Sequence, residues 1–148
     1  MPVAHINLLK GHKTETLHRI IAEVTEAMSR ILMAPKDRFM VWISEIDTSL
    51  WGVAGQPASE ALAGTDRAEI EIPFVQMVLM EGRPLAQYHA VMDEISEIIA
   101  RALPCDKARI RVHIAQAQPD YWAIGGVPYA VLRADEIAAR ELTRAVMA

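Results

Sequence analysis

The segment PVAHINLLKGH at residues 2–12 returns in altered form as PFVQMVLMEGR at residues 73–83. Shifting the sequence by 71 positions, from Pro2 to Pro73, brings its two halves into register without a gap. The other identical pairs include Leu8/Leu79, Gly11/Gly82, His18/His89, Arg38/Arg109, Trp51/Trp122 and Pro57/Pro128. Tryptophan occurs only three times in the chain, so a matched pair of tryptophans strengthens the register. We therefore interpret the chain as a tandem duplication.

Each repeat has the pattern of a β-α-β unit. VAHINLL alternates apolar and polar residues, and IEIPFVQMVLM in the second repeat is also rich in strand-forming residues. The segment TETLHRIIAEVTEAMSRIL follows the first strand and has apolar residues at helical spacing. RFMVWISEI and RIRVHIAQA predict the second strands. LWGVAGQPAS and YWAIGGVPYA contain glycine and proline and predict short hairpins or turns.

These units predict an α+β fold. A crossover helix makes the two strands of a unit parallel, so two units predict a four-stranded sheet with two helices on one face. We expect the opposite face of the sheet to be apolar as well and to need covering, which favours an oligomer. The tail DEIAARELTRAVM predicts a C-terminal helix that is capped by Asp135.

The repeat also predicts how the chain is organised. We expect one pseudosymmetric domain over residues 1–148, with the first β-α-β unit at 2–63 and the second at 73–134. Residues 64–72 are interpreted as a linker that leads into the next strand, and residues 135–148 as the C-terminal helix.

The composition narrows the classes of function. The chain has 148 residues and a net charge of −4, so no basic field indicates nucleic acid or a membrane surface as a partner. It has neither an apolar run of membrane-spanning length nor a signal-peptide pattern. The single cysteine, Cys105, fits a reducing cytoplasm. The five histidines do not cluster with carboxylates at ligand spacing, so we predict no metal site.

Several motifs occur in an order that is shared with a known family. In the first repeat they are a proline behind the start, INLLKG, an amphipathic helix, APKD, a strand ending in ISEI, and WGVAGQPAS, within residues 2–59. In the second repeat, MEGR and WAIGGVPYA stand out within residues 73–130. Both repeats resemble the 4-oxalocrotonate tautomerase family of the tautomerase superfamily. The whole chain resembles a fused member in which two short subunits have become one.

The resemblance implies a cofactor-independent isomerase. In this family an N-terminal proline is the general base that moves a proton between the enol oxygen and carbon of 2-hydroxy-dienoates or enol-pyruvates. Pro2 is the expected base once Met1 has been removed. A dry pocket beside cations lowers the pKa of such an amine and makes it a neutral base at working pH. Arginine suits the substrate carboxylates because its planar fork binds both oxygens.

The implied base and arginines are divided between the two repeats. Pro73 lies within the chain and therefore has no basic nitrogen. The first carboxylate-binding arginine of the family corresponds to His12 in one repeat and to Arg83 in the other. The second arginine corresponds to Met40 and Arg111. One repeat thus keeps the amine, and the other keeps both arginines.

A composite site follows from this division. The aromatic residue of the family's pocket corresponds to Trp51 and Trp122. The resemblance predicts a site of Pro2 with Arg83, Arg111 and Trp122, with some of these side chains supplied by another chain. We expect a trimer of fused units that mimics a hexamer of single ones, acting on a small carboxylate.

Other interpretations stay open at this point. APKDRF resembles malonate semialdehyde decarboxylases of the same superfamily, in which the aspartate is functional, so Asp37 and Arg38 are secondary candidates. His12 either adds positive charge near a site or lies on a solvated face, and Trp51 either lines a site or packs an interface. The absence of both arginines from the first repeat favours a further alternative, a catalytically decayed scaffold.

Overall fold

The two halves of the chain repeat the same order of elements. The structure, a computed structural model, describes residues 2–147 apart from the side chain of Met147. The first half contains β1 (Val3–Leu9), α1 (Thr14–Leu32), β2 (Met40–Ile46), β3 (Gly52–Val53), β4 (Gln56–Pro57) and α2 (Ala58–Ala61), and it is followed by α3 (Arg67–Ile70). The second half contains β5 (Phe74–Met80), α4 (Leu85–Ala102), β6 (Arg111–Ala117), β7 (Ala123–Ile124), β8 (Val127–Pro128), α5 (Tyr129–Leu132) and α6 (Ala134–Met147).

The main sheet has four strands in the order β2-β1-β5-β6. β1 is parallel to β2, and β5 is parallel to β6, as the crossover helices predict. The two inner strands are antiparallel, with Val3 opposite Val78 and Asn7 opposite Phe74. This pairing confirms the four-stranded sheet and brings the start of β1, with Pro2, beside the end of β5. The start of β5, with Pro73, comes beside the end of β1 in the same way.

The helices α1 and α4 cover one face of this sheet. The apolar stripe of α1 is buried, and so is that of α4, which confirms their helical spacing. Fully burying a large aliphatic side chain contributes about 1.5–3 kcal/mol, so this layer supplies much of the stability. Both stripes join the inward residues of the sheet in one core. The stripes are Leu17, Ile20, Val24, Ala27, Met28 and Leu32 on α1, and Tyr88, Val91, Ile95, Ile98 and Ile99 on α4.

The opposite face of the sheet differs from the prediction. Trp42 is 43% exposed and Phe74 is 36% exposed there, but polar side chains lie between them. Nε2 of His5 is 2.7 Å from Oγ of Ser44, and Nδ2 of Asn7 donates to the carbonyl of Phe74 at 3.0 Å. The expectation of an apolar face therefore holds only in part. This surface mixes aromatic and hydrogen-bonding groups because polar residues occupy alternate positions of the central strands.

Two predicted boundaries also move. The strand predicted from IEIPFVQMVLM begins only at Phe74, and the preceding Ile70 closes α3 instead. Glu71, between them, is buried with 2% exposure. The C-terminal helix begins at Ala134, so Asp135 lies in its first turn and does not cap it. Within residues 2–147, no helix is both long and apolar enough to cross a membrane.

Candidate active site

A cavity of about 330 Å³ lies at the start of β1. We call it the Pro2 pocket. Its walls come from both repeats and from α6, so the duplicated units build it jointly. The side chains that carry its chemistry are Pro2 and Arg38 from the first half, Arg83 and Tyr129 from the second half, and Glu136 and Arg140 from α6.

Pro2 is buried at the edge of this cavity. Its carbonyl accepts a hydrogen bond from the backbone N–H of Met40 at 3.1 Å, which ties it to the start of β2. Pro73 has the same anchor in the other half, because its carbonyl accepts from Arg111 N–H at 2.9 Å. Met1 lies outside the residues that the structure describes, so its removal stays a prediction.

Arg83 follows the turn at Gly82, whose φ of +93° favours glycine. Its Nη1 donates to the carbonyl of Leu32 and to Oε1 of Gln87, both at 3.2 Å. These bonds hold the guanidinium against the end of α1, across the boundary between the repeats. Its Nε is buried and has no hydrogen-bond partner among residues 2–147.

The surroundings of Arg83 weaken its charge. Burial is the main cause that lowers its pKa to about 10, and the nearby positive charge of Arg140 acts in the same direction. Tyr88, Tyr129 and Glu136 oppose this shift. The guanidinium still carries its charge at neutral pH, and it would gain from a nearby anion because an opposite charge favours the ionised form.

The other charges of the pocket come from the first half of the chain and from α6. Nη1 of Arg38 donates to both carboxylate oxygens of Glu136, at 3.0 and 3.1 Å. Arg140, one turn further along α6, lines the same cavity. Three arginines therefore face one glutamate in the Pro2 pocket. The excess of positive charge suits a small anion.

Two predicted site residues lie elsewhere in this chain. Arg111 is exposed on the edge strand β6, and its Nη1 donates to the carbonyl of Ala108 at 2.8 Å. Trp122 is half-buried before β7, and its carbonyl accepts from Tyr129 N–H at 2.6 Å. Neither side chain lines the Pro2 pocket. A single chain therefore brings together Pro2 and Arg83 but not the other two.

The secondary candidates are divided as well. Asp37 is exposed on a 3₁₀ turn and is not part of the walls, whereas the adjacent Arg38 is. Trp51 packs beside a small cluster of buried residues in the first half. His12 does not line the Pro2 pocket. Its side chain is 8% exposed and lies 2.7 Å from the carboxylate of Glu71, so the expectation of a solvated face was wrong, whereas a place near a site stays a prediction.

Sequence reasoning missed several pocket residues. Tyr129 is 6% exposed and takes the position that Ala58 has in the first repeat, so comparing the repeats offered a signal. Glu136 and Arg140 belong to α6, which extends beyond the matched repeats and carries no such signal. Within the described part of the chain, no group of three His, Cys, Asp or Glu side chains is arranged to hold a metal ion.

Comparisons with known proteins agree with the duplication. A family model described as "Tautomerase enzyme" matches residues 2–61 and again residues 73–131. The 2-hydroxymuconate tautomerase of Pseudomonas putida is 43% identical over 60 residues, which cover 40% of this chain and 95% of the relative. The enzyme of the same name from Pseudomonas fluorescens has the same identity and coverage.

Solved structures extend the likeness to both halves together. A fused 4-OT, described as a wild-type asymmetric trimer, superposes with a TM-score of 0.76 at 25% identity, over 88% of this chain and 98% of that one. A native fused 4-OT gives a TM-score of 0.77 at 24% identity with the same coverage, which supports the fold. The chain belongs to the tautomerase family of isomerases, as a tandem-duplicated, fused member.

Proposed function

We propose that the chain catalyses enol–keto tautomerisation of small 2-hydroxy-dienoate or enol-pyruvate carboxylates without a cofactor, with Pro2 as the general base. The observation that carries this proposal is the shared pocket. Pro2 from one repeat and the partly buried Arg83 from the other line the same cavity. The relatives named 2-hydroxymuconate tautomerase support the same class of reaction.

The base requires a free amine, so the proposal includes removal of Met1. The freed secondary amine of Pro2 then takes a proton from the enol oxygen and returns it to carbon. A buried position beside arginines disfavours the charged amine and lowers its pKa toward neutrality. General base catalysis of this kind contributes about 10²–10⁴-fold to the rate.

The arginines bind the substrate and stabilise charge. Arg83 lines the cavity and binds the carboxylate next to the reacting carbons through its guanidinium. Arg140 adds positive charge on the other side, and Arg38 is held in place by Glu136. Charge that develops on the enolate oxygen is stabilised by these preorganised cations.

A neighbouring chain completes the site in this proposal. Arg111 and Trp122 lie away from Pro2 within one chain, and Arg111 is exposed on the edge strand β6. A fused 4-OT of similar fold is described as a trimer. We infer a trimer in which Arg111 and Trp122 of one chain approach the Pro2 pocket of the next. We also propose that the chain acts in the cytoplasm and binds neither nucleic acid nor a membrane.

The test is ketonisation of 2-hydroxymuconate and of phenylenolpyruvate, followed by ultraviolet absorbance. The mass of the protein is first measured by mass spectrometry to establish that Met1 is absent. Pro2→Ala is expected to lower kcat by about 10²–10⁴-fold, because it replaces the fixed secondary amine with the primary amine of a more flexible residue. Pro73→Ala is the matched control and should leave kcat unchanged. Equal turnover in wild type and Pro2→Ala contradicts the proposal.

The decarboxylase alternative has less support. It relies on Asp37, whose side chain is exposed and outside the walls of the Pro2 pocket. Its neighbour Arg38 faces the pocket, but it is bonded to Glu136. Release of CO₂ from malonate semialdehyde by the wild type, with loss of that release in Asp37→Asn, would revive this alternative.

A further inference from the structure

The repeat defines a place around Pro73 that corresponds to the Pro2 pocket, and we call this place, which is filled by side chains, the Pro73 pocket. The shift of 71 positions puts Pro73 in the place of the first proline. It likewise puts His12 and Arg109 in the places of the two arginines at positions 83 and 38. The antiparallel pairing of β1 with β5 makes the two places equivalent in the fold. The two pockets nevertheless hold different contents.

The carboxylate of Glu71 occupies the Pro73 pocket. Glu71 is 2% exposed, and its Oε1 is 2.7 Å from Nε2 of His12. Its Oε2 accepts from the backbone N–H of Leu9 at 2.6 Å. Nε of Arg67 lies 3.5 Å from Oε1, close enough for an ion pair but without a hydrogen bond. Oε2 therefore has a backbone donor, and Oε1 lies beside the His12 ring and the Arg67 guanidinium.

The backbone around Glu71 is held as firmly as its side chain. Its carbonyl accepts from Nε of Arg109 at 3.1 Å. Nη2 of Arg67 donates to the carbonyl of Leu9. The guanidinium of Arg67 also packs on Gly11, where an added Cβ would come within 2.6 Å of Nη1. The segment between the repeats thus closes over the pocket and carries the carboxylate into it.

This arrangement has the composition of an anion site. A buried carboxylate needs charge-assisted hydrogen bonds to offset its loss of hydration, and here it receives a backbone N–H and a histidine. The histidine stands in the slot of Arg83. The same slot therefore faces a carboxylate in the Pro73 pocket and an open cavity in the Pro2 pocket.

The position in the second repeat that matches Glu71 provides a comparison. The shift of 71 positions matches Glu71 with Leu142, which lies on α6 and is 69% exposed. No equivalent side chain of the second repeat therefore enters the Pro2 pocket from that position. The occupied pocket results from one residue of the linker and not from the repeated fold.

We propose that the Pro73 pocket is a second carboxylate-binding site whose ligand is the chain's own Glu71. Removing this side chain opens the site to small free carboxylates such as acetate and propanoate. In the native chain the tethered carboxylate has a high effective concentration, so free carboxylates at millimolar levels do not displace it. The proposal does not depend on catalysis at Pro2, because it concerns binding at the other end of the sheet.

The test is thermal unfolding of Glu71→Ala in the presence of acetate or propanoate. The variant should melt below the wild type, and carboxylate should raise its Tm saturably. The rise should reach about 4 °C at ten times the dissociation constant. Sodium chloride at equal ionic strength and acetamide, which has the same shape without the charge, should not produce this rise. An equal response to acetate, acetamide and chloride overturns the proposal.

Two controls separate this site from general salt effects. Glu69→Ala removes an exposed carboxylate from α3, two positions before Glu71, and it should respond to acetate no more than the wild type does. The double variant Glu71→Ala/His12→Ala should bind acetate at least about tenfold more weakly, because a charge-assisted donor is missing. Unchanged affinity in the double variant also overturns the proposal.

A variant that does not fold still gives a result. If Glu71→Ala is recovered only as aggregate, Glu71→Ser is titrated in the same way, because its small polar side chain also leaves the place of the carboxylate open. Carboxylate should then restore folding where chloride does not. Failure of both variants to fold in carboxylate as well as in chloride counts against a carboxylate site.

Discussion

The Pro2 and Pro73 pockets occupy equivalent places in the two repeats and have opposite contents. The first is a cavity of about 330 Å³ with the partly buried Arg83 on its wall. The second holds Glu71, whose carboxylate is bonded by His12 and by a backbone N–H. Both prolines are anchored through their carbonyls to the adjoining strand in the same way. The difference therefore lies in what covers each proline, which is α6 in the Pro2 pocket and the linker with Glu71 in the Pro73 pocket.

Under the proposed function, this contrast assigns one pocket of the duplicated fold to chemistry and the other to stability. A proline within the chain has no basic nitrogen, so the pocket around Pro73 has no use for a substrate-binding arginine. His12 replaces that arginine, and the linker supplies a permanent anion. In the Pro2 pocket Arg83 stays charged and is partly desolvated. This desolvation lowers the stability of the folded chain, but it favours the binding of an anion.

The largest expected difference between the two pockets is in turnover. Arg83→Ala should lower kcat/KM by about 10²–10³-fold, because it removes a preorganised cation from the developing charge. The matched change His12→Ala should leave kcat/KM within about threefold. Steady-state kinetics with 2-hydroxymuconate measures both. Equal losses in the two variants would mean that the pockets are not divided in function.

The reverse contrast is expected in stability. His12→Ala should lower the free energy of unfolding by about 3 kcal/mol, because it leaves the buried Glu71 carboxylate with one donor fewer. His18→Ala, an exposed change on α1, is the control and should stay within about 0.5 kcal/mol of the wild type. Denaturant unfolding of both variants measures these changes. If His12→Ala lowers the free energy of unfolding no more than His18→Ala does, the contact between His12 and Glu71 contributes little to stability.

A smaller effect is expected in the pH dependence of substrate capture. The pKa of Arg83 is lowered to about 10, so its charge is complete below that pH and is lost as the pH rises through it. The value of kcat/KM should therefore fall on the alkaline side near pH 10, since it reports the free enzyme. Arg140→Gln removes the neighbouring positive charge and should move this fall to higher pH. If kcat/KM falls at the same pH in Arg140→Gln as in the wild type, the charge of Arg140 does not influence the titration of Arg83 in the free enzyme.

Much of the fold follows from local patterns in the sequence. The paired tryptophans set the register of the duplication, and the 3.6-residue spacing of apolar side chains predicted α1 and α4. The order of strands and helices in each repeat then required parallel pairs, because a crossover helix joins them. The sequence also predicted that Pro2 and Arg83 lie close together, and both line one cavity. Their roles in catalysis stay a prediction.

The contents of the two pockets could not be predicted in the same way. Glu71 lies in an apolar run and reads as part of a strand, yet it is buried against His12 and Leu9, which are 59 and 62 positions away. Tyr129 and Arg140 enter the Pro2 pocket through elements whose packing no local spacing specifies.

The sequence by itself therefore determined the duplication, the β-α-β units and the position of the N-terminal proline. The tertiary structure decided which pocket is open and which is closed. The physical reason is that periodicity reports only which face of an element is buried. The partners of a buried charge depend on the antiparallel pairing of β1 with β5, which brings the linker against the end of the first strand.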